Sequence, residues 1–149
     1  MTGTAIDIKV DDKGLKKVLS RFLARVGHAE PAMKIIGQII RTSVVENFQV
    51  AGRPETWKAL ADNTLLTKKG GKVLIEQGFA AGLMGSIHEE ISADSVLVGT
   101  DKVYAAIHHF GGMAGRGRKV KIPARPYMMI QDEDWPEIVA SLEDYLLAD

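Results

Sequence analysis

The chain has 149 residues, with 19 Lys plus Arg against 19 Asp plus Glu and no cysteine. A net charge of zero excludes a whole-surface field for nucleic acid or anionic membrane, and the missing thiols exclude a disulfide framework and cysteine-ligated metal. No apolar run approaches the ~20 residues that a bilayer span needs.

The N-terminus has neither a basic leader nor an apolar signal core. The expectation is one domain over residues 1–149 that is made in the cytoplasm, with no membrane partner. Ile6, Ile8 and Val10 alternate with Asp7 and Lys9, a short strand with one buried face. Asp11 or Asp12 then caps a helix in which Leu15, Val18, Leu19, Phe22, Leu23 and Val26 recur at helical spacing, with Gly27 as its stop. Pro31 opens a second helix with a stripe of Met33, Ile36, Ile40, Val44 and Phe48, widened by Ile35 and Ile39. Gly37 inside it costs about 1 kcal/mol relative to Ala, and close packing against another helix would offset that.

Ala51 to Glu55 reads as a loop that Trp57 and Leu60 tie to the body. Asp62 or Asn63 starts a short helix, Lys68 to Lys72 is a mobile turn, and Phe79 to Met84 is a helical turn or two ended by Gly85. Ile87 to Ile91 and Val96 to Val98 form a hairpin turning at Ala93-Asp94. Val103 to Phe110 is a short helix. Val120 and Ile122 alternate with Lys121 in a strand, and Tyr127 to Ile130 is a further strand candidate. Asp134-Trp-Pro-Glu137 has capping-box spacing, ahead of a helix striped by Trp135, Ile138, Val139, Leu142, Tyr145 and Leu146. The fold class is α+β: a small, mainly antiparallel sheet with packed helices and a long glycine-rich basic loop.

Catalytic signatures are weak throughout. His88-Glu89 begins His-Glu-x-x-His, but Ser92 stands where the second zinc ligand belongs. His108 and His109 are adjacent and point to different faces of a helix, one packed and one solvated. Lys69-Gly-Gly-Lys-Val73 lacks the first glycine and the hydroxyl residue of a phosphate loop, and Gly115-Arg-Gly-Arg-Lys119 is no dinucleotide fingerprint. Glu89 and Glu90 point to opposite sides of a strand. No general acid/base pair, metal site or cofactor site emerges. A small metal-dependent hydrolase built on the histidines is the least favoured reading.

The basic loop is the strongest feature. Arg116, Arg118, Lys119 and Lys121 fall within six positions, surrounded by Gly111, Gly112, Gly115 and Gly117, with no acid among them. Its glycines make it costly to order alone, so it is expected to be mobile. It suits contact with a neighbouring subunit, or with a nucleic-acid backbone through charge. No aromatic side chain interleaves the cations, which argues against single-strand stacking. Arg125, between Pro123 and Pro126, sits on stiff, extended backbone, where an internal ion pair competes with a partner contact. Arg116, Arg118, Lys119, Lys121 and Arg125 are the candidate contact residues, and Trp57, Tyr104 and Phe110 the candidate anchors of the arm.

Several pieces occur in an order that resembles a known family. They are Phe48, Gly52 and Trp57-Lys-Ala-Leu60, then Leu83-Met-Gly-Ser-Ile87, then Val98-Gly-Thr100 with Tyr104-Ala-Ala-Ile-His108 and Phe110-Gly111, and last Ile122-Pro-Ala-Arg-Pro-Tyr127. The set is similar to the virion-morphogenesis, or tail-completion, proteins of long-tailed and Mu-like phages and their prophages, over roughly residues 30 to 148. The chain departs from the pattern at Glu76-Gln-Gly78, where relatives carry a Thr-Gly-type turn. The resemblance implies a non-enzymatic subunit for tail completion or head–tail joining. It acts in the host cytoplasm during assembly and then in the virion at the tail end. It also implies a homo-oligomeric ring, with a hexamer as the expectation, and other tail or connector proteins as partners. A ring around the DNA path would turn Arg116 and Arg118 toward the lumen, in non-specific contact with phage DNA. A DNA-backbone-binding accessory protein using residues 111–121 is the alternative.

Overall fold

The computed structural model describes residues 14–68, 72–75 and 82–148. The expected strand at 6–10, the capping aspartates Asp11 and Asp12, the turn residues 69–71 and the departure at 76–78 lie outside them. The architecture is α+β, with six α-helices and two small antiparallel two-stranded sheets among the described residues. The chain divides into two compact units.

The first unit, residues 6–43, 88–98 and 130–149, holds helix α1 (Leu15–Val26), most of helix α2 (Glu30–Gln49), the hairpin of strands β1 (His88–Ile91) and β2 (Val96–Gly99), and helix α6 (Asp134–Leu147). Its core is what the periodicity predicts. Val18 and Phe22 of α1, Ala32, Met33 and Ile36 of α2, and Ile138, Leu142 and Leu146 of α6 bury together. Tyr145 lies 5.2 Å from Phe22 in a stacked pair. Gly27 closes α1 in the left-handed conformation, its N–H donating to the Leu23 carbonyl at 2.9 Å.

Three expectations change here. Gly14, at φ 90°, stands at the N-cap of α1, and no side chain among the described residues caps that helix. Gly37 gives close approach to the hairpin rather than to a helix, since a Cβ there would lie 2.8 Å from Cγ2 of Val96. The capping box does not form. Asp134 is buried, and its Oδ2 accepts from the Gln131 N–H at 2.7 Å and from the Ser43 hydroxyl at 2.5 Å. The carboxylate is thereby committed to the incoming chain and to α2, and is not free to cap the turn that follows it.

The second unit, residues 1–5, 44–87 and 99–129, contains the last turns of α2, helix α3 (Asp62–Thr67), helix α4 (Gly82–Gly85), helix α5 (Ala105–Phe110), and strands β3 (Gly112–Ala114) and β4 (Val120–Ile122). Phe48 sits between Trp57, at 5.7 Å edge-on, and Tyr127, at 5.0 Å. His109 adds to the cluster, edge-on to Tyr127 at 5.2 Å. The strand expected at Tyr127 to Ile130 is absent. Asn47, fully buried on α2, donates Nδ2 to the carbonyls of Tyr127 at 2.8 Å and Met129 at 3.2 Å. A side-chain amide thus satisfies the backbone that a partner strand would otherwise pair.

Candidate interaction surface

The basic loop is narrower than its composition implies. β3 and β4 pair antiparallel, with Gly112 opposite Ile122, Met113 opposite Lys121 and Ala114 opposite Val120. Only Gly115–Lys119 remains as the tip, wound into a short 3-10 turn over Arg116–Arg118. Gly115 at φ 78° and Gly117 at φ 73° supply the left-handed geometry that the tip needs.

The base of the hairpin is held by backbone and buried side chains. α5 ends where the Gly111 N–H donates to the Ile107 carbonyl at 2.8 Å. Gly111 has φ 74°, and a Cβ on it would meet the backbone nitrogen of Ala124 at 2.7 Å and the Ile122 carbonyl oxygen at 2.9 Å. The returning chain runs directly against it. The Arg125 N–H donates to the His108 carbonyl at 2.9 Å. The Arg125 guanidinium is buried and donates to the carbonyls of Lys58 at 3.0 Å and Ala59 at 3.1 Å. Trp57 Nε1 donates to the Pro126 carbonyl at 3.2 Å, and the Tyr127 hydroxyl to the Ala105 carbonyl at 2.8 Å.

The sequence-derived residues therefore separate into two groups. Arg116, Arg118, Lys119 and Lys121 are exposed on the hairpin, with no ion pair among the described residues. Arg125 faces inward, and its partners are carbonyl oxygens, not the carboxylate of an expected ion pair. Trp57 is buried, whereas Tyr104 and Phe110 stand 38% and 62% exposed, edge-on to His108 and His109 respectively. Val103, Met113 and Val120 are exposed as well, so the surface around the arm mixes cations with apolar side chains.

Neither histidine is the solvated one expected from the sequence. His109 is buried, and its Nδ1 accepts from the Met128 N–H at a long 3.4 Å. The Nδ1 of His108 is buried with no hydrogen-bond partner among the described residues. Burial pulls both imidazoles below the ordinary value of 6.5, and the positive charges of Arg125 and Lys68 lower His108 further. No group of three His, Cys, Asp or Glu side chains gathers to hold a metal among the described residues.

Two features were missed from sequence. A cavity of about 300 Å³ opens beside the base of the arm, between Arg53, Pro54, Trp57, Lys58, Pro126 and Met129. It exists because the 53–58 loop and the 124–129 segment meet, and no local pattern announces that. Asn47, by contrast, left a signal: an amide directly before Phe48 of the apolar stripe of α2.

The chain is similar to two curated proteins over nearly all of its length. It is 37% identical over 141 residues to "Mu-like prophage FluMu G protein 2" of Haemophilus influenzae, covering 94% of this chain and 95% of that protein. It is 26% identical over 145 residues to "Putative capsid assembly protein G" of Escherichia phage Mu, covering 89% and 88% respectively. No solved structure matches it. No helix among the described residues is long and apolar enough to cross a membrane. The description "phage virion morphogenesis family" matches residues 10–147, a span that takes in both compact units and the basic hairpin, and the chain belongs to that family.

Proposed function

We propose that this protein is a tail-completion or head–tail joining subunit, that it works through its interfaces without turning over a substrate, and that it assembles as a ring, a hexamer, at the tail end of the virion. The observation that carries the reading is the basic hairpin. Four exposed cations, Arg116, Arg118, Lys119 and Lys121, are presented on a base fixed by Arg125, Trp57 and Gly111. A surface that spends buried hydrogen bonds on holding an exposed arm is organised for docking, and membership of a virion morphogenesis family supports an assembly role.

The test is genetic and visual. Residues 113–121 are replaced by a two-residue turn in a prophage that carries this gene, and induced lysates are examined by electron microscopy. The reading expects full heads and tails that remain unjoined or tails of abnormal end structure. Normal numbers of infectious particles would sink it.

The unpaired cations also favour a second reading, contact with a nucleic-acid backbone. Arg116→Ala with Arg118→Ala would then weaken duplex binding at all sequences alike and lower the slope of log affinity against log salt by about two. Unchanged binding removes that reading and leaves the first intact.

A further inference from the structure

The hairpin is incomplete as a sheet. Among the described residues it has two strands of three residues each, no third strand on either side and apolar side chains exposed on both faces: Met113 is 49% exposed and Val120, on the other face, 55%. A ribbon of this kind gains little stability alone. Its four cations have no ion pair among the described residues, so within that part of the chain neither the apolar nor the charged groups of the arm are covered.

Helix α6 offers the complementary chemistry. The segment 131–149 contains Asp132, Glu133, Asp134, Glu137, Glu143, Asp144 and Asp149 and not one Lys or Arg. Ile138, Leu142 and Leu146 bury one face of the helix. At spacings of three and four, Glu133, Glu137, Ala140, Asp144 and Leu147 line the opposite face, and all are exposed. Glu137 and Asp144 have no ion pair among the described residues, whereas Glu143 is already 3.6 Å from Arg21. Glu137 to Asp144 spans two turns, roughly 10 Å. Leu147 at 72% exposure supplies an apolar end to the acidic face.

We infer that the occupant of the hairpin is a second copy of this chain, and that the basic arm of one copy lies along the outer, acidic face of α6 of the next. The inference rests on the reading of the chain as a self-assembling subunit and names the surfaces that join. The arm and the α6 face are different patches, and each copy carries one of each. The contact is therefore heterologous, the type that generates rings when the rotation closes. Opposite charges on the two patches also disfavour arm-to-arm and helix-to-helix pairing, which fixes the direction of assembly.

Charge exchange tests it. One variant carries Arg116→Glu with Arg118→Glu, and a second carries Glu137→Lys with Asp144→Lys. Sedimentation velocity across a concentration series should show each variant alone associating about tenfold or more weakly than the parent. An equimolar mixture should recover the parental oligomer, because each reversed arm then meets a reversed helix. All four positions are exposed, and circular dichroism melts at the parental midpoint check that folding is intact. A second readout uses the absence of cysteine: Arg118→Cys and Asp144→Cys chains, mixed and oxidised, should give disulfide-linked pairs containing one of each. Oligomers that survive both reversals, or reversals that the mixture does not rescue, overturn the arm-to-helix contact while leaving ring assembly through other surfaces standing. A parent that stays monomeric at every concentration overturns the contact and the ring together.

Discussion

Asn47 illustrates how one polar side chain can hold a segment that has no secondary structure of its own. Its amide donates to two carbonyls of the 127–129 segment, and its Oδ1 accepts from Nε of Arg53 at 2.9 Å. Asn47→Ala removes all three interactions from a fully buried site. The expected loss is about 2–4 kcal/mol, read as a lower urea midpoint with an unchanged far-ultraviolet spectrum before the transition. The histidines bear on pH in a defined direction. Burial holds His108 and His109 below 6.5, so near and below that pH the unfolded chain binds protons at these sites that the folded chain refuses. Stability should therefore be level above about pH 6.5 and fall as the pH drops from there toward the folded-state values. Imidazole resonances followed by NMR would check this directly: both midpoints should lie under 6.5, and a midpoint above it for either residue would contradict the burial argument.

Among the elements, the hairpin depends most on a single residue. Gly111 occupies a left-handed conformation and touches backbone on the returning strand, which cannot rotate away as a side-chain tip can. Gly111→Ala should cost about 2 kcal/mol or more and loosen the base of the arm. Trypsin provides the local readout, because Arg116, Arg118, Lys119 and Lys121 all lie in the hairpin; cleavage there should accelerate before global unfolding does. This element also marks how far the sequence could be read. α1, α2 and α6 were legible because their apolar residues repeat at 3.6, and the β1–β2 hairpin because its residues alternate. The arm was legible as a run of cations without acids. Trp57 was nameable as an anchor, but the bonds of the clamp were not, since Arg125 and Trp57 donate to main-chain carbonyls, and a carbonyl acceptor leaves no trace in residue identity. Tyr127 to Ile130 looked like a strand because its side chains suit one; its partner is an amide 80 residues away in sequence. Asp134 had the spacing of a cap, but Ser43, 91 positions earlier, claims it. In each case local pattern was overruled by a polar contact of long range.

On the scale of the whole molecule, the balance of 19 cations and 19 anions conceals a strong separation. Four cations without an acid occupy 112–122, and seven acids without a base occupy 131–149. A neutral chain has no long-range repulsion to keep copies apart, and segregated charge gives an approaching copy an orientation. The two possible sources of association respond oppositely to salt. Contacts between exposed charges weaken as the screening length falls from about 10 Å at 0.1 M to 3 Å at 1 M, whereas apolar burial is unaffected or strengthened, most clearly by sulfate. Sedimentation velocity in sodium chloride from 50 mM to 500 mM should accordingly shift the protein toward monomer, and sodium sulfate at equal ionic strength should do so less. An oligomer that tightens steadily with sodium chloride would assign its assembly to exposed apolar side chains such as Val103, Phe110 and Leu147 and leave the charge pattern without a part in it. Loss of the salt response in the Glu137→Lys, Asp144→Lys variant, beside a retained response in the parent, would locate the effect on the outer face of α6.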